Sequence, residues 1–169
     1  SPTDGTWDSR HTCDPAVIKG EFAYNGESYN YIMTYLGCVT SDNSRNEVGL
    51  AVAKQPEGPW IKCDEINPIA KFPEEYNTWG YGQPSIVSMD KKGRVYLFYT
   101  AGLPTKTCTM VERWDFSNLN EPKLEARGEV PLGGWKMNDG SGIGFISNAD
   151  FAYDSSTGAF YMIADSRPF

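Results

Sequence analysis

The sequence predicts an all-β fold made of β-propeller blades, each a four-stranded antiparallel meander. Three observations predict it. A strand–turn–strand unit recurs along the chain, its strands are rich in aromatic and β-branched residues, and glycine and proline punctuate it. The unit is plainest at Gln83-Pro84-Ser85-Ile86-Val87-Ser88-Met89-Asp90, Lys91-Lys92-Gly93 and Arg94-Val95-Tyr96-Leu97-Phe98-Tyr99-Thr100-Ala101-Gly102. Its second strand carries side chains that fit a pleated surface. Gly93 supplies the positive φ that a tight hairpin needs.

A shift of 65 positions brings Asn148-Ala149-Asp150-Phe151-Ala152-Tyr153 onto Gln83 onward and Gly158 onto Gly93. The same shift sets Phe160-Tyr161-Met162-Ile163 on Val95-Tyr96-Leu97-Phe98. In the other direction, Tyr31-Ile32-Met33-Thr34-Tyr35 falls on Tyr96 to Thr100, and Gly37 on Gly102. A small length change in the first turn matches Asp14-Pro15-Ala16-Val17-Ile18 to Gln83–Val87. A period of this size signals a repeat architecture.

The elements follow in order. Residues 1–12 are polar, with Trp7 and then Asp8-Ser9-Arg10-His11. Asp14–Ile18 reads as a short inner strand and Asn25-Gly26-Glu27 as a turn. From Tyr29 to Leu36, Tyr29, Tyr31, Met33 and Tyr35 share one face, while Ile32, Thr34 and Leu36 share the other. Neither face is cleanly polar, so the strand is expected to be covered on both sides. Val48–Ala53 is a third strand and Trp60–Cys63 a short fourth, with Gln55–Pro59 turning between them. In the second repeat Cys108–Trp114 is the third strand and Lys123–Val130 the fourth. The third repeat starts near Ser147 and holds two strands. Pro68 and Pro73 limit Asn67–Tyr76 to a turn of helix at most.

Residues 1–169 thus read as one partial propeller domain of about two and a half blades, near 13–65, 82–131 and 147–169. Closure takes roughly four to eight blades. A second chain supplying the remainder, a missing C-terminal half, and a sandwich packing of the sheets are the three readings this leaves open.

Composition narrows the partners. The 169 residues suffice for one real core. A net charge of −7 argues against nucleic acid and anionic membrane as partners. No stretch approaches the roughly 18 apolar residues of a membrane-spanning helix. Ser1–Gly5 reads as the start of a mature chain. Cys13, Cys38, Cys63 and Cys108 form no CxxC pair and His11 is the sole histidine, so the ligand spacing of a zinc site is missing. Two disulfides and four reduced thiols remain alternatives.

Asp14-Pro15-Ala16-Val17, then Gly49-Leu50-Ala51-Val52-Ala53, then Glu57-Gly58-Pro59-Trp60 resembles the first blade of five-bladed β-propeller glycoside hydrolases. These are the family 43 arabinofuranosidases and xylosidases, with relatives in families 32, 62, 117 and 130. Pro84-Ser85-Ile86-Val87 with Tyr96-Leu97-Phe98-Tyr99 is similar to the second blade. The resemblance covers nearly the whole chain, as the N-terminal half of such a domain. It implies three axial carboxylates, one at the inner strand of each of the first three blades: a general base or nucleophile, an aspartate that tunes and orients the acid, and a glutamate general acid. Protonating a leaving oxygen takes a neutral carboxyl, and activating water takes an ionised one.

Carried over residue by residue, the resemblance makes Asp14 the general base. The second position holds Gln83, which hydrogen-bonds but does not titrate, and the third holds Asn148. Asp150, two residues on, shares a side of the strand with Asn148 and is the candidate acid. Trp7, Trp79, Tyr81, Trp135 and Phe145 precede the inner strands and offer apolar ring faces to a sugar, or else pack between blades. His11, Trp79, Gln83, Asn148 and Arg167 are the candidate substrate-binding residues, with Arg10 as a further contact. Glu74 and Glu75 are distant alternative carboxylates. No cofactor is expected, beyond a possible structural Ca²⁺ near His11. The implied partner is an oligosaccharide or polysaccharide, at an extracellular or periplasmic location. Glycosidic hydrolysis by a divergent homologue and non-catalytic carbohydrate binding are the two functions left, with a scaffold propeller assembling through strand edges as a third.

Overall fold

The computed structural model describes residues 1–136 and 140–165. Blade 1 contains β1 (His11–Tyr24), β2 (Glu27–Cys38), β3 (Glu47–Ala53) and β4 (Ile61–Lys62). Blade 2 contains β5 (Gly80–Ser88), β6 (Arg94–Gly102), β7 (Thr107–Asp115) and β8 (Lys123–Glu129). A third sheet pairs β9 (Ser147–Asp154) with β10 (Ala159–Asp165). Each sheet is an antiparallel meander in sequence order, and the described residues contain no helix. The all-β, blade-built fold read from the sequence is therefore the observed one.

β1 is longer than the sequence suggests. Its pairing with β2 continues upstream of Asp14 to His11↔Cys38 and downstream of Ile18 to Tyr24↔Glu27. The tail then staples the two blades. Glu21 N–H donates to the Lys92 carbonyl, Ala23 N–H to that of Ser117, and Leu119 N–H to that of Ala23. Asn25 adds side-chain bonds, its backbone N–H reaching Asn120 Oδ1 at 2.9 Å.

Two-sided burial follows from the period of two along each strand. In β6, Val95, Leu97 and Tyr99 enter the core shared with Ile32, Val48, Leu50 and Val52 of blade 1. Phe98, between them, enters a second core with Val87, Ala149 and Phe151, against which Tyr96 also packs. Phe98 and Phe151 stack, with ring centroids 3.8 Å apart and planes 10° from parallel. A one-residue slip of β6 would exchange these two sets, so packing on both faces fixes the register.

Two buried carboxylates lie in the frame. The polar start of the chain straps across blade 1, where the Trp7 ring covers Gly37 and Gly49. A Cβ on either glycine would come within 2.6 Å of that ring, so the close approach requires glycine. The strap also sinks Asp8, whose side chain is 1% exposed. Asp8 accepts from Lys62 Nζ at 2.5 Å, Thr6 Oγ1 at 2.6 Å and the Tyr35 hydroxyl at 3.1 Å. In blade 2, Glu112 is fully buried. It accepts from the Tyr99 hydroxyl, Trp114 Nε1 and Arg127 Nε, each at 2.7 Å. Burial, then the Glu112 charge, pushes the Tyr99 hydroxyl up.

Lys62→Met would leave the Asp8 carboxylate buried with hydroxyl donors alone. Urea denaturation at neutral pH is expected to show a loss of about 3 kcal/mol. The acid side has a definite sign. Burial raises Asp8, but the Lys62 hydrogen bond, the Thr6 hydrogen bond, the Lys62 charge and the Tyr35 bond outweigh it and hold the group below 3.8. That contribution is complete above the unfolded-state pKa and is lost as pH falls through the lower folded value. The stability difference between the parent and Asp8→Asn is expected to shrink below about pH 4.

Candidate functional site

The inner strands β1, β5 and β9 lie side by side, and all three are bulged at the same place, β1 having a second irregularity between Lys19 and Phe22. Asp14 and Pro15 together oppose Tyr35, between the pairs Cys13↔Leu36 and Ala16↔Thr34. Gln83 and Pro84 oppose Tyr99 in the same way, between Gly82↔Thr100 and Ser85↔Phe98. Asn148 and Ala149 oppose Ala164, between Asp165↔Ser147 and Ile163↔Asp150. The leading residue is left-handed each time, with φ of 51° at Asp14, 51° at Gln83 and 46° at Asn148. Asp and Asn tolerate that region because their short polar side chains bond locally. A bulge of this kind bends its strand and re-aims the side chain it carries.

The three leading residues line one open cleft of about 800 Å³ along the inner strands. Pro15, Ala16, Ile86 and Val87 form apolar wall, and Asp150, Phe151 and Tyr153 line the β9 side. Asp14, Asn148 and Asp150 are exposed, and Gln83 is half-buried. The Asn148 N–H donates to Gln83 Oε1 at 3.2 Å, joining the second and third positions. Asp150 is tied to the neighbouring strand, since the Ser85 hydroxyl donates to its Oδ1 at 2.7 Å. Phe151 N–H is shared between that Oδ1 and Ser85 Oγ, at 3.0 Å to each. Burial, then the charge and hydrogen bond of Asp14, pushes the adjacent Cys13 thiol up to about 11.

Of the residues singled out from sequence, Asp14, Gln83, Asn148 and Asp150 meet in this cleft. His11 and Trp79 are not part of its lining. The His11 ring instead faces Cys38 Sγ, 3.4 Å from Nε2. The Trp79 ring lies over Gly82 and Gly102, closing space that a Cβ would otherwise fill. The other loop aromatics pack as well: Trp7 on Tyr35, and Tyr81 between Phe72 and Tyr99. Trp135 borders a separate apolar hollow with Phe98, Phe151 and Phe160. Glu74 pairs with Lys71 at 2.9 Å on the surface. Arg167 lies outside the described residues. Ser85, which anchors Asp150, carried no sequence signal beyond its place in the repeat.

All four cysteines are free thiols, Cys13 exposed and the others buried. Among the described residues no group of three or more His, Cys, Asp or Glu side chains is arranged to hold a metal ion.

No family model matches the sequence, and no curated protein matches it. Among solved structures the chain is similar to one described as the crystal structure of a thermostable family-43 glycoside hydrolase. The TM-score is 0.55 at 19% identity, over 96% of this chain and 48% of the other. The chain has a glycoside-hydrolase-like fold. At this identity the likeness is one of fold alone, and the chain spans about half the length of that structure.

The Ser85–Asp150 tie is open to measurement. Ser85 is buried and bridges two groups of β9, so Ser85→Ala is expected to cost about 1–2 kcal/mol in urea denaturation. In a double-mutant cycle with Asp150→Ala, about 1 kcal/mol of that cost is expected to appear as coupling.

Proposed function

We propose that the protein is carbohydrate-active and binds an oligosaccharide in the cleft between its inner strands. The observation that carries this reading is the convergence of Asp14, Gln83 and Asn148, three left-handed bulge residues from three successive blades, on one cleft. Its volume is that of a small-ligand site, and its lining mixes apolar wall with a few polar groups, as ligand sites do. Such a surface suits a neutral sugar, which presents C–H faces and hydroxyls together.

Glycosidic hydrolysis of the arabinofuranosidase or xylosidase type is the finer proposal. Asp14 is exposed at the bulge and would serve as general base. Asp150 would be the acid that protonates the leaving oxygen. A polysaccharide-degrading role at an extracellular or periplasmic location belongs to the same proposal.

Binding without turnover is the second reading, and a specific observation favours it. Two of the three converging residues are carboxamides, which bond without exchanging a proton with a leaving group. Asp150 already spends Oδ1 on Ser85 and Phe151.

Neutral arabinofuranosyl, xylosyl and fructosyl oligosaccharides, incubated with the parent and with Asp14→Asn, separate the two. Hydrolysis predicts turnover that falls at least about 100-fold in Asp14→Asn. Binding alone predicts calorimetric affinity for one of these sugars with no product formed by either protein. Neither binding nor turnover with any of them would sink both readings.

A further inference from the structure

We infer that Gln83 determines what the cleft accepts: its carboxamide is clamped so that two N–H donors are left for an uncharged acceptor, a sugar hydroxyl or ring oxygen. The inference rests on the oligosaccharide reading and deepens it.

The backbone is the first observation. Gln83 holds φ at 51°. Asp14 and Asn148, at the matching bulges, are residue types that relax into the left-handed region, whereas glutamine has no such preference. Local conformation therefore does not account for glutamine here. Residues held in costly backbone regions concentrate where a side chain must be aimed.

The clamp is the second. The Asn148 backbone N–H is a donor only, so the 3.2 Å bond identifies the receiving atom as Gln83 Oε1. The other end of the carboxamide is then Nε2. Among the described residues no protein group accepts its hydrogens. Gln83 is half-buried and lines the cleft, so these donors need a partner from water or ligand.

Charge is the third. Asp14 and Asp150 line the same cleft from the strands on either side of β5. An anionic group seated on Nε2 would meet like charge from both. Among the described lining residues the cation is Lys91, past the end of β5 and at least about 15 Å along the strand from Gln83. An uncharged acceptor meets neither repulsion nor an unpaired charge, and a carboxylate-bearing sugar is disfavoured.

Calorimetry with neutral xylo- and arabino-oligosaccharides, and with a glucuronosyl-substituted xylo-oligosaccharide, tests the inference on the parent and two variants. Gln83→Glu keeps the shape and an oxygen for the Asn148 N–H but replaces the donors with a charged acceptor. Its affinity for the neutral sugar is expected to fall about tenfold or more, with the thermal midpoint near the parent's. Gln83→Gly is expected to lose the same affinity without a lower midpoint, because glycine relaxes the left-handed backbone. A merely structural glutamine would give a lower midpoint instead. Parent-like affinity in Gln83→Glu, or tighter binding of the glucuronosyl sugar than of the neutral ones by the parent, overturns the inference while sugar binding stands. Absence of binding to every one of these sugars overturns both.

Discussion

The bulge in each inner strand is the constraint on which the rest of this structure depends. It is the same in three places: one extra residue, left-handed backbone at its head, and one residue opposite. A bulge adds local twist and shifts the alternation by one place. Residues before and after it therefore present to opposite faces from those a regular strand would give. In β5 that shift lets Ile86 face the core with blade 1 and Val87 the core with the third sheet, while Gln83 stays at the cleft. Removing the bulge would exchange the two cores and withdraw the cleft residues together. The conformational cost at each head, of order 1–2 kcal/mol for a non-glycine residue, is recovered through that packing.

The residue opposite the bulge matters too. In blades 1 and 2 it is a buried tyrosine, Tyr35 and Tyr99. Each sends its hydroxyl to a buried carboxylate, Asp8 and Glu112, and each carboxylate is matched by a cation, Lys62 and Arg127. The partners come from unrelated elements, the N-terminal strap in one blade and β7 in the other. A similar polar solution thus arises beside two bulges by different routes. An unmatched carboxylate at either place would cost several kcal/mol, so each network holds its surroundings to one arrangement.

Much of the fold was legible because repetition leaves a pattern that composition alone does not. The strands of blade 2 followed from alternation, and the place of Asp14, Gln83 and Asn148 followed from the register of the repeat. The left-handed backbone did not, because three different residue types occupy it and none is glycine. The positive φ expected at Gly93 lies instead at Lys91, at 59°, and Gly93 is required because a Cβ there would meet the Ser117 backbone at 2.5 Å. Residues 1–12 read only as polar, and nothing in them points to a buried Asp8, because its charge is met by Lys62 from a strand of two residues far along the chain. Trp79 and Trp7 were candidate sugar platforms. The glycines that seat them, at 82, 102, 37 and 49, show their packing role only once the strands are side by side. Ser85 was likewise unreadable, because its partner Asp150 lies in another blade.

What distinguishes the cleft is the exchange of charge for hydrogen-bonding capacity at fixed geometry. A carboxamide occupies nearly the same shape as a carboxylate, so Gln83 and Asn148 meet the steric demands of their bulges as acids would. Their chemistry differs in one respect that burial cannot repair: an amide donates and accepts at the same time, and no change of environment makes it a proton source near neutral pH. The Asn148 N–H to Gln83 Oε1 bond uses the accepting half of one amide within the protein. On the proposed reading the donating half remains for a ligand. Asp14 is thus the exposed carboxylate at the bulges, beside two carboxamides that donate and accept hydrogen bonds without titrating. The three bulges thus set one carboxylate and two carboxamides along a single cleft.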